Sequence, residues 1–143
     1  MADGEPDSAA SFDYHPEYGS DRTADGFSFS ADQEFDWEPL REGDAVSYLS
    51  EPFEDATVMA GPASADLYVQ STAIDTDLEV TLSEVRPDGQ ELYLQNGWLR
   101  ASHRELDDEE STELRPVPTH REEDDERLPE GEFTLVRVEI FPF

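Results

Sequence analysis

Lysine is missing from this chain altogether, and so is cysteine. Without cysteine there are no disulfides, no thiolate nucleophile and no cysteine-ligated zinc. Positive charge is scarce: nine arginines face 37 aspartates and glutamates, a formal net charge of −28 over 143 residues. Nucleic acids and anionic membranes are bound through basic patches, so neither is an expected partner. No run of 18 apolar residues occurs, so no transmembrane helix is expected. The opening MADGEPDSAASFD has neither the basic region nor the apolar core of a secretory signal. Those two absences give a cytoplasmic expectation. No cofactor is expected.

A charge of this size loosens a compact state through self-repulsion, and concentrated salt relieves it by shortening the screening length to roughly 3 Å at 1 M. Acidity alone reads as disorder. Against that, 36% of the residues are hydrophobic and 10% aromatic, and the apolar ones fall in ordered patterns. A folded domain adapted to a salt-rich cytosol fits both facts. Lysine's absence agrees, because carboxylates aid solubility more than ammonium groups do.

Residues 1–43 are rich in Asp, Glu, Ser, Gly and Pro, with scattered aromatics such as Phe12, Tyr14 and Trp37. They show no strand or helix period and read as an irregular acidic segment, either wrapping over another surface or solvated. From residue 44 to 143 short alternating runs take over. Strands are expected at 45–49, 57–60, 65–71, 77–83, 90–95, 98–104 and 133–141. The cleanest is 77–83, with Leu78, Val80 and Leu82 on one face and Asp77, Glu79, Thr81 and Ser83 on the other. Val85 breaks the phase, which suggests a bulge or the strand's end. Pro87-Asp88-Gly89 predicts a tight hairpin connection, and Asn96-Gly97 a second turn. Residues 105–132 are a charged excursion with room for a helical turn or two. The chain therefore reads as all-β, an antiparallel β-sandwich or barrel.

Chemical constellations are weak. The string nearest to a serine nucleophile elbow, GFSFS at 26–30, ends in serine where glycine belongs. His15, His103 and His120 show no triad spacing. Asp75, Asp77 and Glu79 alternate, but the glycine turn and closing glutamate of a calcium loop are absent, and carboxylates on a solvated strand face need no ligand. No metal site is expected. Carboxylate pairs suited to glycosidic chemistry arise by chance among 37 acids. Trp98 and Arg100 share one strand face. They read as a half-buried tryptophan with a snorkelling arginine, or as a binding platform or interface.

Several strings occur together in order: Y-x-S-E-P-F at 48–53, A-G-P at 60–62, S-x-x-x-D-T-D at 71–77, R-P-D-G at 86–89 and N-G-W-L-R at 96–100, followed by Arg104. The set resembles the C-terminal domain of the X-Pro dipeptidyl-peptidase and cocaine-esterase hydrolase family over roughly residues 40–143. The resemblance implies a jelly-roll, galactose-binding-like β-sandwich packed on an α/β-hydrolase domain, in cis or from a neighbouring gene, and shaping its substrate cleft. The family's catalytic Ser, Asp and His belong to that other domain, so no catalytic residue carries over and the chain is expected to be inactive alone. Family members continue past the FPF at 141–143, so the sandwich is expected to be incomplete at its C-terminus, a fragment with an open sheet edge available to the partner or to a second copy. Asp75, Asp77, Gly89, Gly97 and Arg100 are the motif residues given structural roles, the two acids as acceptors for backbone N–H groups. Tyr48, Trp98 and Arg104 are candidate interface residues. The alternative expectation is a free-standing carbohydrate-binding module.

Overall fold

A computed structural model describes residues 45–143. The chain divides into two units, Met1–Ala56 and Thr57–Phe143. The expected acidic segment 1–43, with GFSFS and His15, lies outside the described residues.

The second unit holds four strands: β1 (Ala63–Val69), β2 (Asp77–Val85), β3 (Glu91–Arg100) and β4 (Thr134–Ile140). β2 and β3 form an antiparallel hairpin, and β1 pairs antiparallel with the distant β4, giving two two-stranded ladders. The fold is an antiparallel β-sandwich. Alternation aims the apolar side chains inward. Val136, Val138 and Leu99 are buried with Ala101 and Leu128, and Leu67, Val69, Leu78 and Val80 pack against them. Both ladders thus supply one core. The excursion after β3 contributes Leu128 to it and otherwise contains a 3-10 turn at Glu122–Asp124 and a single bridge between Leu106 and Pro118.

The hairpin at 86–90 closes as the Pro-Asp-Gly string predicts. The Arg86 N–H donates to the Gln90 carbonyl (2.8 Å), the Gly89 N–H donates to that of Arg86 (2.9 Å), and the Asp88 carboxylate accepts from the Gln90 N–H (3.0 Å). Gly89 has φ +83°, the left-handed region that a side chain disfavours. The register slips between Leu82 and Ser83, where Leu82 faces Gln95 but Ser83 faces Tyr93. The extra residue is Leu94 on β3, so the bulge precedes the strand's end at Val85 and lies on the opposite strand.

Four expectations need correction. Residues 45–49 form no strand beyond an isolated bridge at Ala45, and 57–60 form none, with Val58 94% exposed. Alternation names a face but does not supply a partner strand. The strand expected at 98–104 stops at Arg100 and passes into a 3-10 turn, Ala101–His103. Asn96-Gly97 is no turn, because both residues lie inside the continuous β3. Gly97 is there for space: a Cβ on it would stand 1.7 Å from the Glu139 carbonyl oxygen and 2.7 Å from its carbon. β4 crosses β3 backbone to backbone at this point, and the Phe141 N–H donates to the Asn96 carbonyl (3.1 Å). Glycine inside a strand commonly marks such an approach.

The two glycines should therefore respond differently. Gly97→Ala must push two backbones apart and is expected to cost about 3 kcal/mol or more. Gly89→Ala meets open space and should cost only the left-handed penalty of about 1–2 kcal/mol. Denaturant midpoints of the two variants check this, and equal shifts would refute the distinction.

Candidate functional site

Antiparallel pairing brings the start of β2 beside the end of β3, with Asp77 opposite Arg100. The guanidinium grips the carboxylate with two prongs, Nε to Oδ1 at 2.8 Å and Nη2 to Oδ2 at 3.0 Å. Asp75 Oδ2 lies 3.9 Å from the same Nε. Hydrogen bonding from Arg100 holds the Asp77 carboxyl below its ordinary value, against a smaller opposing effect of burial. Arg100 is raised in return, first by the same bond.

Asp75 faces the chain itself. Its Oδ1 accepts from the backbone N–H of Thr76 and of Ser102, both at 2.9 Å. The Ala101 N–H donates to the Thr76 carbonyl, the Leu128 N–H to that of Ile74, and the Glu126 N–H to that of Ser102, each at 2.9 Å. Arg104, 12% exposed in its side chain, donates to the Ala101 carbonyl (3.2 Å) and to both the carbonyl and the carboxylate of Glu126. Three segments, 74–77, 100–104 and 126–128, are thereby tied into one knot, and the long excursion is pinned at its far end. Arg104 acts inside this knot instead of presenting a surface. Ser102 Oγ is buried within it with no hydrogen-bond partner.

Trp98 keeps a little under half of its surface covered, and the Arg100 guanidinium beside it is held by Asp77. The tryptophan is 56% exposed, opposite Glu79, with its ring 5.7 Å from that of Phe141. His103 and His120 approach to 5.8 Å, and His103 Nε2 lies 3.7 Å from Asp125 Oδ2. His120 takes a left-handed backbone, φ 51°. A cavity of about 450 Å³ opens along Asp77, Glu79, Trp98, Arg100, His103 and His120. A smaller one of about 130 Å³ shares Trp98 and His120 and reaches Pro118 and Phe141. Sequence reasoning noticed Trp98 and Arg100 but missed the histidine pair and Phe141: His103 joins them from the turn after β3, His120 from the excursion, and Phe141 from just beyond β4. Their spacing in the chain carries no trace of that meeting. Tyr48 is 81% exposed, in the other unit.

The motif residues Asp75, Asp77, Arg100 and Arg104 tie backbone and strand ends together. The sequence pattern described as the X-Pro dipeptidyl-peptidase C-terminal non-catalytic domain matches residues 7–143. The chain belongs to that family. It is similar to the cocaine esterase of Rhodococcus sp. (strain MB1 Bresler), 38% identical over 71 residues, which are 49% of this chain and 12% of the esterase. It also superposes on a CocE/NonD family hydrolase from Staphylococcus aureus with a TM-score of 0.53 and 29% identity, covering 58% of this chain and 17% of the hydrolase. A second crystal structure of the latter gives 0.52 and 28%. The chain thus spans well under a fifth of these relatives. Among the described residues, no helix is long and apolar enough to cross a membrane.

Replacing Asp75 with Ala leaves the Ser102 N–H buried and unpaired, which is expected to cost about 1–3 kcal/mol. Asp77→Asn tests the other pair by pH. The folded-state value of Asp77 is depressed, so its stabilisation is fully present above the unfolded carboxylate value of about 3.9 and is lost as pH falls through the folded value. The stability difference between parent and Asp77→Asn should therefore be constant near neutrality and shrink below about pH 3.9. Urea midpoints across that range report it, and a difference that grows in acid would contradict the pairing.

Proposed function

We propose that this chain acts as the non-catalytic C-terminal domain of a cocaine-esterase-type serine hydrolase, packing on an α/β-hydrolase domain, in cis or encoded alongside, and forming part of the wall of its substrate cleft. The fold in this reading is a jelly roll. The nucleophile and its base reside in the partner, which would cleave ester or amide bonds through an acyl-enzyme. The observation that carries the reading is the amount of apolar side chain left in water. Within the first unit Leu49 and Phe53 are 78% and 67% exposed, and within the second Val58 is 94% and Ile74 60%. Exposed large apolar side chains in such number on a highly charged chain support a surface that is covered in use. Family membership supplies the partner's class.

The purified chain is expected to show no turnover of an activated ester, and to co-elute on gel filtration with an α/β-hydrolase domain from the same genome that lacks this domain. Leu49→Ser with Phe53→Ser should weaken that association about tenfold or more, or about 1.4 kcal/mol. Turnover by the chain alone would overturn the reading.

Salt adaptation in the cytoplasm is part of the same proposal, supported by the charge of −28 and the absence of lysine. Between about 0.1 M and 1 M KCl the screening length falls from about 10 Å to about 3 Å. The thermal midpoint and the far-ultraviolet β signal should both rise over that interval, and a chain indifferent to salt would refute it.

A further inference from the structure

The groove astride Trp98 is lined by residues other than Leu49, Phe53, Val58 and Ile74, whose exposure supports the packing role proposed above. We propose that it is a binding site for a neutral, hydroxyl-rich ligand about the size of one or two sugar rings. Its larger chamber, about 450 Å³, falls within the span of roughly 300–1,000 Å³ common to small-ligand sites. The smaller chamber continues past Trp98 toward Phe141, so the indole lies along a path with room on both sides. An elongated ligand fits that shape better than a compact one.

The charge pattern selects the chemistry. Arg100 is committed to Asp77 through two hydrogen bonds. At the other end Arg137 donates to Asp66 (2.9 Å), and Arg115 lies 3.5 Å from Glu139. Glu79 accepts from the Asn96 side chain (3.3 Å). An anionic ligand meets guanidinium groups already neutralised, on a chain of net charge −28 that repels it. A cationic ligand would find Glu79 and the indole, but the second carboxylate of this wall, Asp77, is already held by Arg100. Hydroxyl groups face neither obstacle. Paired carboxylates keep lone pairs that accept, a paired guanidinium keeps N–H groups that donate, and the two imidazoles add ring nitrogens for hydrogen bonding. Trp98, 56% exposed and braced by Phe141, presents a flat apolar surface for the C–H face of a sugar ring.

Isothermal titration of the purified chain in molar KCl with cellobiose, maltose and lactose tests this, with glucose 6-phosphate and choline as charged comparators. At least one disaccharide should bind saturably at millimolar concentration or tighter, and both comparators more weakly. A Trp37→Phe chain leaves Trp98 as its one indole and should report the same binding by fluorescence. Trp98→Ala, with its β signal checked by circular dichroism, should abolish binding. His120→Gly suits the left-handed backbone at that position and should weaken binding several-fold, so it decides the matter if the tryptophan variant fails to fold. The proposal is overturned if no disaccharide saturates, if a charged comparator binds more tightly, or if a folded Trp98→Ala or His120→Gly chain binds like the parent.

Discussion

The contact on which the rest of this domain depends is the one at Gly97, where a missing side chain lets the backbone of β4 lie against that of β3. The hydrophobic effect alone would bring two two-stranded ladders together at many angles, because it is non-directional. A backbone approach with a hydrogen bond from Phe141 to Asn96 admits one. That crossing fixes which residues of β4 meet β3, and so brings Val136 and Val138 over Leu99. It also carries Phe141 to Trp98. Core and groove are two consequences of a single close approach, on opposite faces of the same strand.

At the other end of β3, order comes from polar chemistry. Burying the backbone of Ala101 and Ser102 removes their N–H groups from water, and each must find an acceptor. Thr76 supplies a carbonyl and Asp75 a carboxylate oxygen. Arg104 then collects the carbonyl of Ala101 and the backbone and side chain of Glu126. The D-T-D string and the arginine beyond N-G-W-L-R are thus two sides of one device that anchors a long loop. The work these residues do in this structure is mechanical: they hold backbone to backbone.

How far the sequence could be read follows from the range of each interaction. The Leu78, Val80, Leu82 alternation, the Val136, Val138, Ile140 face and the Pro-Asp-Gly turn are local facts, and β2, β4 and the hairpin follow from them. Gly97 was misread because a glycine's letter does not say whether it is needed for φ or for room, and the room is set by Glu139, 42 positions away. Residues 45–49 and 57–60 misled for a related reason: β-propensity describes fitness for a pleated surface, and a strand exists only where a second one pairs with it. Asp75 and Asp77 divide their work unequally, one holding backbone and the other holding Arg100. Nothing in their spacing distinguishes them. The histidine pair was invisible because His120 enters on a left-handed turn of an acidic loop.

Global and local charge also behave differently here. The chain as a whole is strongly anionic, but around Trp98 the arginines are matched one to one with carboxylates: Arg100 with Asp77, Arg137 with Asp66, Arg115 with Glu139. Exposed pairs of this kind add little to stability, with a median of about 0–1 kcal/mol. Their effect is on the field, which they cancel over a patch that would otherwise share the charge of the rest. A chain with nine cationic side chains that places three of them in ion pairs near one tryptophan offsets much of the local negative charge there and leaves a hydrogen-bonding surface in an anionic setting. Concentrated salt screens the charges outside the patch and leaves short bidentate contacts such as Arg100–Asp77 comparatively intact. The groove's character should therefore persist in concentrated salt.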